Sequence, residues 1–412
     1  MKKTRILALI MAVAMCFGLM AGCSNSGSGS NDASNSDTPN NTVSDNGGAS
    51  SEGGTIKIAL IANTTGDYAQ YGIPVRNGAM LYIDQLNANG GINGKKIEVL
   101  EYDDKGDGIE AVNAFNLAMD KGITAVIGSV LTGATVTLAD ATYPENMPQI
   151  TASATAAGVT VMEDGSVRTN VFRSCFIDPF QAEKMADYAV NKLGAKTAAI
   201  LYESGSDYSE GLLDAFTAKA DELGLEIVAT EAFASGDKDY NAQMTKIAGT
   251  NPDVVYMPIY YGEAGLAITQ GRQAGLTATV LGGDGFGGIS GYATAEDLEG
   301  TVYCSGYAPG TESVAQFETD YEATYGEPVP NMFAPLAFDA AMLMCEALKA
   351  AEDAGLEAGT DEYKQAVIDA MAGVDNLQGI TGSYTFNETN DPVKSIAILK
   401  LQNGEEAFDE FY

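Results

Sequence analysis

Short apolar runs alternate with stretches that carry apolar residues at helical spacing, and the alternation repeats along most of the chain from Ile56 onward. A strand is predicted over 56–62, after which Val75, Ala79, Ile83 and Leu86 place one apolar stripe on a helix over 75–86. Strands over 97–102 and 125–127 follow, separated by a helix over 109–119, and a further helix over 135–143 leads to a strand over 147–151. A second series begins after Phe172, with helices over 179–192, 210–223, 241–248 and 264–274 set between strands over 197–202, 226–233, 254–258 and 279–282. Near-continuous apolar strands bounded by helices imply parallel sheets covered on both faces. Two such series imply an α/β chain of two doubly wound lobes. Helices over 314–325 and 335–351 come next, and a last strand over 396–401 is too isolated to found a domain, so the tail is expected to rejoin an earlier lobe.

The first part of the chain is of another kind. Lys2, Lys3 and Arg5 precede an apolar run of 14 residues, 6–19, and small residues then lead to Cys23. This is the layout of a secretory signal, and the run is short for a permanent membrane span. Met20-Ala21-Gly22-Cys23 resembles a bacterial lipobox, with Met where Leu is usual, which implies lipidation of Cys23 and anchoring at a membrane. Residues 24–54 hold 21 Ser, Asn or Gly among 31 and cannot bury a core. As a flexible coil this tether would reach on the order of 30 Å. Of the remaining cysteines, Cys16 lies in the signal, and Cys175, Cys304 and Cys345 are too scattered for a disulfide framework or a zinc cluster.

Composition narrows the chemistry. With 22 Lys and Arg against 56 Asp and Glu the formal charge is 22 − 56 = −34, which disfavours nucleic acid as a partner. Histidine is absent, removing the common nucleophile arrangements, the usual neutral-pH proton shuttle and the commonest zinc ligand. The glycines over 282–288 lack the Lys-Ser/Thr of a phosphate loop, and no Gly-x-Ser-x-Gly occurs. Lys105 interrupts Asp103, Asp104 and Asp107 as a calcium loop, leaving them as a solvated turn. No enzyme, metal or cofactor is expected.

Ligands of open α/β sheets bind beyond the carboxyl ends of strands, and the loops there carry an ordered set of motifs. Thr65-Gly66-Asp67-Tyr68-Ala69-Gln70-Tyr71-Gly72 is followed by Asn89-Gly90-Gly91-Ile92-Asn93-Gly94-Lys95-Lys96-Ile97 and Tyr102-Asp103-Asp104. Val126-Ile127-Gly128-Ser129, Ile150-Thr151-Ala152-Ser153-Ala154-Thr155, Phe172-Arg173, Asp207-Tyr208-Ser209-Glu210-Gly211 and Gly236-Asp237-Lys238-Asp239-Tyr240 continue it. The set resembles branched-chain amino-acid type (Leu/Ile/Val-binding) solute-binding proteins, the extracytoplasmic receptors of ABC importers, over 55–412.

The resemblance implies a type I periplasmic binding protein fold, two Rossmann-like lobes joined by a three-crossover hinge near 172–173, 300–303 and 394–398. It divides the chain into a signal over 1–22, a lipid-anchored tether over 23–54, a first lobe over 55–172 plus 303–395, and a second lobe over 173–302 plus 396–412. The carboxylate of a free amino acid would be held by Thr132, Ser153 and Thr155, with Thr135 opening a helix whose free amides favour an anion. Asp284, where many relatives have Glu, would face the ammonium. Tyr71 and Phe333 from the first lobe and Tyr208 and Tyr260 from the second would supply aromatic contacts, and Val130 and Leu131 the side-chain end. Read without the resemblance, the Ser/Thr loops are turn or capping chemistry, Asp284 a solvated turn residue and the aromatics core or surface. A cysteine pair found in part of the family is missing. The implied partners are a small neutral aliphatic or branched-chain amino acid, permease and ATPase subunits and, through the lipid anchor, a membrane; the receptor is expected to be a monomer. A ligand-sensing receptor of the same fold, or a receptor for an amide or small organic acid, is the alternative.

Overall fold

The computed structural model describes residues 54–412. The expected signal, Cys23 and nearly all of the tether lie outside the described residues. The chain enters through β1 (Thr55–Ile61), α1 (Ala69–Ala88), β2 (Lys96–Tyr102), α2 (Gly108–Met119), β3 (Val126–Ile127), α3 (Thr132–Thr142), β4 (Gln149–Thr151) and β5 (Val171–Arg173). These five strands form one parallel sheet in the order β2-β1-β3-β4-β5.

After α4 (Asp178–Asn191) the second lobe runs β6 (Thr197–Ser204), α5 (Asp207–Leu223), β7 (Glu226–Ala234), α6 (Asn241–Thr250), β8 (Val254–Met257), α7 (Tyr261–Gln273), β9 (Thr279–Gly282), α8 (Ala295–Leu298) and β10 (Val302–Ser305). Helices α9 (Ala315–Tyr325), α10 (Phe333–Asp353) and α11 (Asp361–Ala372) and the hairpin β11 (Leu377–Gly379) and β12 (Gly382–Tyr384) follow, before β13 (Ala397–Gln402) and β14 (Glu405–Phe411). The second sheet has seven strands in the order β14-β13-β10-β9-β8-β6-β7, with β13 and β14 antiparallel to their neighbours. The tail thus rejoins the second sheet, as its isolation required. Among the described residues no helix is long and apolar enough to cross a membrane.

Two boundaries differ from the sequence expectation in ways that matter for the site. The change of lobe expected at 302/303 falls inside β10, which pairs with β9 on one side and β13 on the other, so the chain leaves the second sheet after Ser305. An apolar run next to a glycine reads equally as linker or strand, and only its pairing partners decide.

Helix α1 starts at Ala69, six residues before the expected 75, and carries Pro74 in its interior. Proline lacks the N–H that would bond the carbonyl four residues back. That carbonyl, on Gln70, accepts instead from Asn331 Nδ2 at 2.8 Å, so a side chain far along the sequence completes the helix. Gly78 lets α1 lie against α10, since a Cβ there would stand 1.9 Å from the Ala334 carbonyl oxygen. The extra turns carry Tyr71, and Tyr68 sits at the cap.

Candidate functional site

Nine of the ten expected contact residues meet around one small, tightly closed cavity between the lobes. The first lobe gives Tyr71, Val130, Leu131, Thr132, Ser153 and Phe333, and the second gives Tyr208, Tyr260, Asp284 and the unexpected Gly285.

On the first-lobe side, the loop after β3 delivers Val130 and Leu131 and α3 opens at Thr132. This corrects the expectation that Thr135 opens the helix: its N–H and hydroxyl both bond back to the Leu131 carbonyl, each at 2.9 Å, inside the first turn. The cap residue is Leu131, which has no side-chain oxygen, so the leading amides of α3 carry no side-chain cap and remain donors at a positive helix end. Beside them Ser153 Oγ donates to the Val130 carbonyl at 2.8 Å, tying the two loops together.

Thr155 departs from its expected place. It is fully buried, does not line the cavity, and lies behind the wall, where its carbonyl accepts from the Asp178 amide at 3.0 Å. A Ser-x-Thr spacing suggests two hydroxyls on one face if the backbone stays extended, but here β4 has already ended at Thr151 and the chain turns. The loop is braced by Arg173, wholly buried, whose guanidinium donates to the Ala154 and Ala156 carbonyls at 2.9 and 3.1 Å and pairs with Asp391 at 2.7 Å.

The second-lobe side is acidic. Asp284 is 2% exposed, which excludes its reading as a solvated turn residue. Its Oδ1 accepts from Tyr208 Oη at 2.8 Å and from Gln181 Nε2 at 3.0 Å, while Gln181 Oε1 accepts from the Asp284 amide at 3.0 Å. Burial pushes this carboxyl up to about 6, against the pull of those two side-chain bonds. Burial first, and the Asp284 charge second, hold the Tyr208 hydroxyl well above its ordinary range, so it stays a neutral donor.

The glycines here serve packing rather than phosphate binding. A Cβ on Gly283 or Gly285 would stand 2.8 Å from Tyr208 Oη, and one on Gly282 would strike the Phe286 ring at 2.3 Å.

The aromatic wall is continuous. Tyr208 stacks on Tyr260 at 4.9 Å, Tyr260 meets Tyr71 edge-on at 5.6 Å, and Tyr71 meets Phe333 edge-on at 4.8 Å. Tyr71 also joins the lobes, donating to the Gly285 carbonyl and accepting from the Tyr261 amide at 3.2 Å. Tyr68 donates to Glu263 Oε1 at 3.0 Å and Tyr261 to the Asp67 carbonyl at 2.7 Å, so three tyrosines bridge the two lobes.

The Asp-rich turn is committed elsewhere. Asp103 accepts from the Thr64 and Lys105 amides and Asp107 caps α2. Asp104, expected in solvent, is buried and accepts from Ser129 and the Gly106 amide, supporting the loop that leads to the cavity. Among the described residues no group of three His, Cys, Asp or Glu could hold a metal ion.

Sequence reasoning missed Gln181 and Asp178. Their spacing of three in the opening turn of a helix puts them on one face, a signal that exists only once the helix start is fixed at Asp178.

The chain matches the family described as periplasmic binding protein over residues 55–406. It is 33% identical over 351 residues to a protein of Rhizobium johnstonii named Leu/Ile/Val-binding protein BraC3, covering 85% of this chain and 92% of that one. The crystal structure of the branched-chain amino acid transporter substrate binding protein LivJ from Streptococcus pneumoniae, in complex with isoleucine, is 32% identical with a TM-score of 0.78, covering 86% and 99% of the two chains. That of a leucine binding protein, LivK from Thermotoga maritima, is 29% identical with a TM-score of 0.78, covering 87% and 98%.

Proposed function

The chain belongs to the periplasmic binding protein family, and from that premise we propose that it is the solute-binding component of an ABC importer, capturing a free branched-chain or other neutral aliphatic amino acid between its lobes and presenting it to a permease. The observation that carries this reading is the pairing, across one small cavity, of uncapped helix amides with a buried carboxylate. An α-amino acid has the complementary charges at that separation of roles. Its carboxylate goes to the first turn of α3 with Thr132 and Ser153. Its ammonium goes to Asp284 and Tyr208, where a charge-assisted bond gains strength from exclusion of water. Val130, Leu131, Tyr71 and Phe333 enclose the side chain. Thr155 supports the wall from behind and is not proposed as a contact.

Because Asp284 and Tyr208 belong to the second lobe, the ligand's ammonium favours the closed arrangement only through contacts that the open one lacks. The Tyr68, Tyr71 and Tyr261 bridges lower the cost of that closure without choosing the ligand. The lipobox resemblance supports lipidation at Cys23 and an extracytoplasmic place at the membrane surface, with permease and ATPase subunits as partners.

A thermal-shift panel of the protein with the free amino acids, their amides and small organic acids tests the reading. Ligand at about 100 times its dissociation constant stabilises by roughly 2.7 kcal/mol. A response confined to neutral aliphatic amino acids is expected; silence from all of them, with a response to an amide or an organic acid, would overturn the assignment of Asp284.

A further inference from the structure

The acid that lines the cavity has a partner. Asp178, in the first turn of α4, is 1% exposed, and Gln181 Nε2 lies 2.9 Å from Asp178 Oδ1 and 3.0 Å from Asp284 Oδ1. A primary amide has two N–H donors, so one nitrogen ties both carboxyl groups together. The second oxygen of Asp178 makes no hydrogen bond of good geometry, and neither does Thr155 Oγ1. The two stand beside each other, and the threonine hydroxyl favours the ionised acid. Helix α5 packs beside it, and a Cβ at Gly211 would be in ordinary contact, 3.6 Å from Asp178 Oδ2.

The groups facing this pair from the surrounding elements are Tyr71 of α1, Arg173 of β5, Cys175, Tyr208 of α5, Tyr256 of β8, Tyr260 and Cys304 of β10. Only Arg173 is cationic, and its charge is already shared with Asp391. Two buried carboxylates beside one committed counter-ion resist being ionised together, because each raises the cost of charging the other.

We infer that Asp178 is a second, positioning acid of the amine end: it and Asp284, linked through Gln181, hold one shared proton before ligand arrives, and an incoming ammonium displaces that proton. The exchange balances. The acid O–H bond breaks, the proton leaves to solvent, and the pair goes from one negative charge to two while the ligand brings one positive charge, so the net charge of the site is unchanged. Burial, with the Asp284 charge next, pushes Asp178 up to about 8, and burial pushes Asp284 up to about 6, which brackets neutrality. The inference rests on the amino-acid reading and deepens it, since the site then requires a ligand that carries a cation.

The test is calorimetric titration of the full chain with L-leucine at pH 7 in buffers of different ionisation enthalpy, repeated from pH 6 to 9. The expected result is release of roughly 0.5 to 1 proton per leucine at pH 7, with affinity rising by up to about tenfold per pH unit between 6 and 8 and levelling above. Asp178→Asn keeps the acceptor for Gln181, and its release is expected to fall below about 0.2 proton with a flattened pH profile. A merely structural role would change affinity without changing the proton count. Leucine binding with no proton released by the wild type overturns the inference whether or not the variant folds, as does an unchanged count in Asp178→Asn. If leucine fails to bind, the titration is run with whichever neutral aliphatic amino acid shifts the melting temperature; if none does, the amino-acid reading itself falls and the inference with it.

Discussion

The first-lobe wall of the cleft presents neutral donors, the leading amides of α3 beside Ser153, whereas the second-lobe wall presents a buried carboxylate held by Tyr208 and Gln181. The first is made by local chain geometry, two loops following β3 and β4, and its one buried ion pair, Arg173 with Asp391, stands behind the wall rather than in it. The second is assembled from 178–181, 208 and 284–285, three stretches brought together only by the fold. A helix end can attract an anion without any buried charge of its own, while capture of a cation requires one. The second wall therefore bears a cost in the absence of ligand that the first does not.

The largest break in this comparison comes from behind the neutral wall. Arg173→Leu leaves Asp391 buried without its counter-ion and frees the Ala154 and Ala156 carbonyls, and urea denaturation should show a loss of about 3–5 kcal/mol. A stability unchanged by the substitution would mean that Arg173 does not brace the loop.

Next comes the acidic wall itself. Asp284→Asn removes the charge opposed to an ammonium, and leucine affinity should fall by about 2 kcal/mol or more, roughly 30-fold, while Tm rises because the cost of the buried charge goes with it. Affinity retained within twofold would contradict the ammonium role.

The cost of the acidic wall can be read without ligand. Asp178 titrates higher in the folded protein than in the unfolded chain, so between about pH 4 and 8 the folded state binds more protons and stability falls as pH rises through that window, levelling above it. Burial also raises Asp104, Glu203 and Glu406, which act with the same sign. Subtracting the profile of Asp178→Asn isolates this residue: urea unfolding from pH 5 to 8 should show a shallower decline in the variant. Superimposable profiles would show that Asp178 carries no excess proton.

The smallest effect separates the two hydroxyls expected together. Ser153→Ala, at the cavity, should weaken leucine binding by about 1 kcal/mol, roughly fivefold, and Thr155→Ala, behind it, by less than about 0.5 kcal/mol. Equal losses would place Thr155 among the contacts after all.

How much of this was legible in the sequence follows the same division. The alternation of apolar runs and helical stripes carried the α/β class and both lobes, because parallel strands buried on two faces leave a direct record in composition. The contact residues on loops could be found through motif resemblance. What escaped depended on partners distant in sequence. The true start of α1 was hidden by Pro74, whose cost is met by Asn331. β10 looked like a linker until its pairing with β9 and β13 was seen. Asp178 and Gln181 sit in an unremarkable helix opening and acquire meaning only beside Asp284. Thr155 was misplaced because a one-residue spacing says nothing about where an extended segment ends.

Whether one cavity reads both ends of an amino acid is decided by a side-by-side calorimetric titration with L-leucine and 4-methylpentanoate, which share the side chain and carboxylate and differ in the amine. Loss of the amine is expected to weaken binding by about 2 kcal/mol or more, roughly 30-fold. Equal affinity for the two compounds would contradict it.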